Sequence, residues 1–282
     1  MTRETIVAGV DGSGLSRAAV KWAAKEARLR DAELRLVHAC AFPESELAQR
    51  QARLGSGEEM LLDICCQALA DARRAAREAE PGIDVVAELK AGLTAKVLIG
   101  ESATAGTLVV GAHRTGALRG LALGSVAAAV AVRSSCPVVI VHASFPESGP
   151  VVLGVDLALD DPVHWEYAFE AASRRDTPLL VVYAEPGRGA AAARQLEARL
   201  AGWSAKYPDV NAECRVVPDH NPARALVTAG AAAQLIVIGS RGRGQVTAAV
   251  LGSTGASLLR RASCPVAIVH HEAERIDHAV RY

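Results

Sequence analysis

Aromatic side chains are scarce in this 282-residue sequence. Three Phe, three Trp and four Tyr make up 4% of it, although half of the residues are hydrophobic. Ala, Val and Leu must therefore carry the packing. An excess of either charge is missing too. Lys+Arg and Asp+Glu stand at 31 each, which gives no general electrostatic pull toward nucleic acid or an acidic membrane. Among the six cysteines (Cys40, Cys65, Cys66, Cys136, Cys214 and Cys264) there is no Cys-x-x-Cys. Several sit inside apolar strand or helix patterns and are read as buried free thiols of a reduced compartment. The adjacent Cys65-Cys66 is too close for an ordinary structural disulfide, and one of the two is expected on the core face of a helix. No secretory signal pattern precedes the first apolar run. The most apolar stretch, Leu121 to Ala143, is interrupted by Arg133 and Pro137, so it is read as core rather than a membrane span. A cytoplasmic location is expected.

Catalytic signatures are missing as well. The sequence has no Walker A loop, no Gly-x-Gly-x-x-Gly turn, no nucleophile elbow and no arrangement with Ser/His/Asp logic. His270-His271-Glu272 does not continue into His-Glu-x-x-His and is read as a polar tail, so no metal ligands are assigned.

What is present is a duplication. Ile6–Ser13 (IVAGVDGS) is answered by Val151–Ala158 (VVLGVDLA), which pairs Asp11 with Asp156 at an offset of 145. Arg30-Asp31 and Arg175-Asp176 pair at the same offset. Further on, Gly111 pairs with Gly239, Gly124-Ser125 with Gly252-Ser253, and Ser135-Cys136-Pro137-Val138 with Ser263-Cys264-Pro265-Val266, all at 128. The first copy therefore carries 17 extra residues, placed by the pattern in the polar segment Phe42–Gly57.

Each copy alternates short β-branched runs with longer amphipathic stretches. In the first, strands are expected at Thr5–Val10, Glu33–Ala39, Ile83–Leu89, Thr107–Gly111 and Pro137–His142. Helices are expected at Leu15–Arg30, Glu58–Glu80, Thr94–Ala105 and Ser125–Arg133. This is the α/β pattern of a parallel sheet covered on both faces. Right-handed crossovers then favour a doubly wound sheet with its ligand site at the carboxyl ends of the strands. The expected domains are 1–144 and 150–272, separated by the turn-forming segment Ser144–Pro150.

One stretch stands out within this frame. From Leu235 to Thr254 the chain reads LIVIGSRGRGQVTAAVLGST, a buried strand, a glycine-rich turn and a helix start. Glycines let backbone N–H groups converge on an anion, and a helix start adds its own N–H groups and dipole. Arg241 and Arg243 add positive charge. The spacing is Gly-x-x-Gly, nine residues, then Gly-Ser.

By this fingerprint, the two Gly-Val-Asp strand ends and the two Ser-Cys-Pro-Val segments, the chain resembles the universal stress protein family over essentially its whole length. The resemblance implies two Rossmann-like (adenine-nucleotide α-hydrolase-like) domains arranged as a pseudo-dimer. Val138–Val141 and Val266–Val269 are its candidate pairing strands. It also implies binding of ATP by a regulator of stress survival or growth rather than a fast enzyme, with Mg²⁺ beside the phosphates left open. Carried over residue by residue, the site comprises Gly9, Asp11, Gly111, Gly116, Gly124 and Ser125 in the first copy. In the second it comprises Gly154, Asp156, Gly239, Ser240, Arg241, Gly242, Arg243, Gly244, Gly252, Ser253 and Thr254. A homodimer or a protein partner is the further expectation, with no nucleic acid and no membrane.

Each copy departs from the pattern at a different corner. Arg114 stands where the second copy has Gly242. A non-glycine residue there costs roughly 1–2 kcal/mol if the backbone is left-handed, although an Arg can also pair with phosphate. In the second copy Leu157-Ala158 replaces Gly12-Ser13. Asp160-Asp161, before Pro162, is read as a pair of helix N-terminal acids in preference to a magnesium site. The alternative function is therefore a scaffold of the same fold that binds no nucleotide because Arg114 and Leu157 close the pockets. A nucleotide-consuming transferase ranks third.

Overall fold

Short runs such as TIVAGV, LLVVYA and LIVIG bury consecutive residues rather than alternate ones, as parallel strands covered on both faces require. The computed structural model describes residues 3–40, 58–112, 124–159, 162–185, 187, 189–240 and 251–270. The chain divides into two compact units, the first ending at Ala143 and the second beginning at Ser144.

The first unit contains β1 (Thr5–Val10), α1 (Gly14–Arg30), β2 (Glu33–Cys40), α2 (Glu58–Ala79), β3 (Val85–Ala91), α3 (Thr94–Glu101), β4 (Thr107–Gly111), α4 (Ser125–Arg133) and β5 (Val138–Val141). Its strands pair in parallel in the order β3-β2-β1-β4-β5. The second unit contains β6 (Val151–Gly154), α5 (Pro162–Arg174), β7 (Leu179–Ala184), α6 (Ala190–Lys206), β8 (Ala212–Val217), α7 (Pro222–Ala229), β9 (Leu235–Gly239), α8 (Ser253–Arg261) and β10 (Val266–Val269). It repeats the order as β8-β7-β6-β9-β10, again all parallel. Strand order reverses between β1 and β4, and between β6 and β9. That reversal opens the crevice where doubly wound sheets take ligands.

Local chemistry sets the helix ends. Ser13 caps α1 by accepting from the Ser16 N–H at 3.1 Å. Asn221 caps α7 by accepting from the Arg224 N–H at 3.1 Å, with Pro222 opening the helix. The repeat pair Asp31 and Asp176 follows α1 and α5 in the same left-handed conformation, with φ of 49° and 48°. Aspartate tolerates it better than a branched residue does.

One helix is shorter than the sequence pattern predicts. α3 ends at Glu101 instead of Ala105, because the buried Ser102 hydroxyl donates to the Ile99 carbonyl at 2.6 Å and accepts the distant Ser135 N–H at 2.9 Å. Ala103 and Thr104 then turn with bonds to Gly100 and Glu101.

None of the six cysteines is in a disulfide; Cys40, Cys136 and Cys264 are buried, and of the adjacent pair Cys65 is half-buried while Cys66 is exposed, so one of the two turns toward the core as expected. Burial pushes the Cys264 thiol from its ordinary 9.0 up to about 12. Above pH 9 the unfolded chain loses this proton while the folded chain keeps it. Stability is therefore expected to fall with rising pH by about 1.4 kcal/mol per unit until the folded value is reached. Urea unfolding between pH 8 and pH 11 (about three units) checks this, and Cys264→Ala should flatten the slope. Equal slopes in both proteins would show that other groups carry the alkaline loss.

Candidate functional site

At the end of β1 the chain makes a tight turn. The Asp11 carboxylate accepts the Ser13 N–H at 2.9 Å, Gly12 takes φ of +78°, and Ser13 then caps α1. This turn borders a cavity of about 510 Å³, lined by Val10, Gly12 and Ser13 and by Ser16 and Arg17 of α1. The other wall is α2, through Asp63, Ile64, Gln67 and Ala68. The volume lies within the range of small-ligand sites. Arg17 adds a cation to the lining, while Asp71, also in it, is held by Gln67 at 2.9 Å and by Arg74 at 2.6 Å.

The α2 wall is what sequence reasoning missed. It lies some fifty residues from the Asp11 turn and carries no motif. Its one legible signal is the small pair Ala68 and Ala72 at helical spacing.

β4 lies beside β1, so Gly111 arrives at the same edge as Asp11. Asp156 in the second unit likewise accepts the Ala158 N–H at 3.1 Å, and β9 brings Gly239 and Ser240 alongside. Ser240 donates its N–H to the Val269 carbonyl at 2.8 Å, extending the β9–β10 ladder by one residue.

Gly124 and Gly252 are the N-caps of α4 and α8, with near-identical backbones (φ −57° in both, ψ 145° and 155°). α8 is nine residues long and reaches β10 through only Ala262–Pro265, so it runs back against the strands. Its start at Ser253 and Thr254 therefore faces the carboxyl edge of the sheet, and Ser125 of α4 does the same in the first unit. The first intrahelical bonds are Ala128 N–H to Gly124 and Ala256 N–H to Gly252, both 2.9 Å. The three N–H groups before each have no acceptor within the helix, which is the geometry that suits an anion.

Several predicted site glycines turn out to have a packing duty. A Cβ on Gly9 would sit 3.0 Å from Leu98 of α3, and one on Gly154 would sit 2.7 Å from Leu226 of α7. Leu98 and Leu226 are themselves repeat partners. A Cβ on Gly111 would come within 2.8 Å of the Leu15 backbone. These glycines let helices close on the sheet. Gly116, Arg241, Gly242, Arg243 and Gly244 lie outside the described residues, as do Arg114 and Asp160-Asp161.

The two units differ at the corresponding place. Leu157, which replaces Gly12, is buried at 8% exposure. Arg199, at the α6 position matching Ala72 of α2, donates to the Leu159 carbonyl at 3.0 Å and so ties α6 to the turn after β6. The sequence pattern puts Arg199 on a solvated face; the structure gives it this bridge instead. His270, expected in a polar tail, is 1% exposed, and its repeat partner His142 is 6% exposed.

The model of the universal stress protein family matches twice, over residues 2–142 and 148–270. This chain belongs to the universal stress protein family. A universal stress protein of Mycobacterium tuberculosis (strain H37Rv) is 35% identical over 290 residues, covering 93% of this chain and 96% of its own. One from Mycolicibacterium smegmatis is 34% identical over 300 residues, covering 95% and 97%. Among solved structures, a universal stress protein from Archaeoglobus fulgidus superposes with a TM-score of 0.75 at 18% identity, covering 96% of this chain and 99% of its own. That likeness bears on the fold, which is the two-domain α/β arrangement of the family. Among the described residues, no helix is long and apolar enough to cross a membrane.

Proposed function

We propose that this universal stress protein binds an adenine nucleotide, ATP with Mg²⁺, at the carboxyl edges of its sheets. It would act in the cytoplasm as a nucleotide-linked regulator of stress response or growth. The observation that carries the reading is the Asp11-Gly12-Ser13 turn, set at the strand-order reversal beside a cavity of about 510 Å³. The residues fit such a group. Helix N-termini opened by Gly124-Ser125 and Gly252-Ser253 supply N–H donors for phosphate, Arg17 supplies charge, and Asp11 presents a carboxylate next to backbone that has no Cβ at Gly12. The glycine spacing from Gly239 to Ser253 supports the same ligand in the second unit. The nucleotide would order the glycine-rich turns and shift the population of conformers that engages a partner, a second copy or another protein. On this reading the chain is a binding protein, at most a slow ATPase.

A second reading has one observation behind it. The Arg199–Leu159 bridge and the buried Leu157 occupy, in the second unit, the place of the first unit's cavity. A scaffold with a closed second pocket would look like this.

Nucleotide content separates the two. The freshly purified chain is denatured and the released nucleotide is counted by chromatography. One or two adenine nucleotides per chain are expected. None, with no binding after ATP and Mg²⁺ are restored, would leave the scaffold.

A further inference from the structure

Three potential metal ligands converge near the end of β2, and neither the fold nor the nucleotide reading uses them. His38 and Cys40 are two residues apart on β2, so both face the same side of the sheet. α2 brings Cys65 to them. The ligand atoms of His38, Cys40 and Cys65 all lie within 4.8 Å of one another, and the Cys40 and Cys65 sulfurs are 3.1 Å apart. The Nδ1 atom of His38 is buried with no hydrogen-bond partner. An unsatisfied buried polar atom is costly, and a ligand would remove that cost.

We propose that His38, Cys40 and Cys65 form a three-ligand binding site for Zn²⁺. Two thiolates and one imidazole are the soft and borderline donors that zinc selects. Two thiolates with Zn²⁺ sum to zero charge, which suits a site where Cys40 is 5% exposed. A monovalent soft cation would leave a buried negative charge.

The geometry needs only a small adjustment. Tetrahedral zinc with Zn–S near 2.3 Å holds its sulfurs about 3.8 Å apart. Cys65 is half-buried on a helix and can supply that opening by side-chain rotation. The fourth position would be open to water or a small exogenous ligand. The exposed Cys66 is not part of the site. Bound metal would pin α2, which also walls the cavity, to β2. The site escapes sequence reading because 24 residues separate Cys40 from Cys65 and no zinc-ligand spacing results.

The test uses the full chain, reduced and kept anaerobic, titrated with Co²⁺ and then Zn²⁺. Expected are thiolate-to-cobalt charge-transfer bands and tetrahedral d–d bands saturating at about one equivalent per chain, then bleached by Zn²⁺. Cys65→Ala should weaken binding about 100-fold and His38→Asn at least about tenfold, while Cys66→Ser should bind as the parent does. Far-UV circular dichroism confirms that each variant is folded. Cys65→Ala and His38→Asn replace partly exposed positions, so the test does not depend on a substitution at the buried Cys40. Absence of charge-transfer bands, or equal uptake by Cys65→Ala, overturns the site.

Discussion

Gly12→Leu is expected to weaken nucleotide binding in the first unit by at least about tenfold, and Gly242→Arg to do the same in the second. Each variant copies one half of the duplication into the other, because Leu157 stands at the Gly12 position and Arg114 at the Gly242 position. Two effects act together at Gly12. Its φ of +78° costs an L-residue about 1–2 kcal/mol. A Cβ there would already stand 3.4 Å from Ala68 on the opposite cavity wall, so the leucine must project into the space beside the Asp11 turn. At Gly242 an arginine would add both a Cβ and bulk within the glycine spacing that, on the proposed reading, admits phosphate. Stoichiometry and affinity by calorimetry check both. If Gly242→Arg alone removes the nucleotide, the second unit is the working site. If Gly12→Leu alone does, the open cavity decides. Unchanged binding in the double variant would remove both places from the nucleotide site.

Phe169→Ala is expected to cost about 3–5 kcal/mol, as large a loss as truncation of a core aromatic side chain causes. The ring is fully buried and stacks on Trp203 at 5.9 Å and on Tyr207 at 5.3 Å between centroids. Trp165 joins the same stack at 6.3 Å from Trp203. Four of the chain's ten aromatic residues thus sit in one cluster between α5 and α6, so removing its centre opens a cavity that Ala-rich surroundings cannot refill. The first unit solves the same contact with Ala24, the repeat partner of Phe169, which shows that the cluster is specific to the second unit. Urea unfolding followed by tryptophan fluorescence reports largely on the second unit, since two of the three tryptophans, Trp165 and Trp203, belong to it, and a Trp22→Phe background removes the contribution of the first. A loss below about 1 kcal/mol would mean that the neighbours collapse into the gap.

Much of the architecture was legible because it is local. β1, β4 and α4 begin and end where the sequence pattern puts them, at Thr5–Val10, Thr107–Gly111 and Ser125–Arg133. Apolar runs, glycine breaks and helix-start residues act within a few positions of themselves. The duplication added the rest: two copies with equivalent strand ends must repeat one sheet order, and they do. The glycines were the ambiguous part. Gly9, Gly111 and Gly154 read in sequence as room for a ligand, yet the nearest atoms to a Cβ at each belong to Leu98, Leu15 and Leu226. A missing side chain looks the same in sequence whether a phosphate or a helix takes its place.

The sequence by itself determined the α/β class, the tandem of two universal stress protein units and the edge of each sheet to which Asp11 and Asp156 come. These follow from periodicity and from residue types that act on their own backbone. Only the tertiary structure decided that α2 walls a cavity beside Gly12, that Arg199 bridges to Leu159 in the second unit, and that Cys65 meets His38 and Cys40. Each is a contact between residues at least 25 positions apart in the chain. It is fixed by how helices settle on a sheet, and no local pattern of residues encodes that distance.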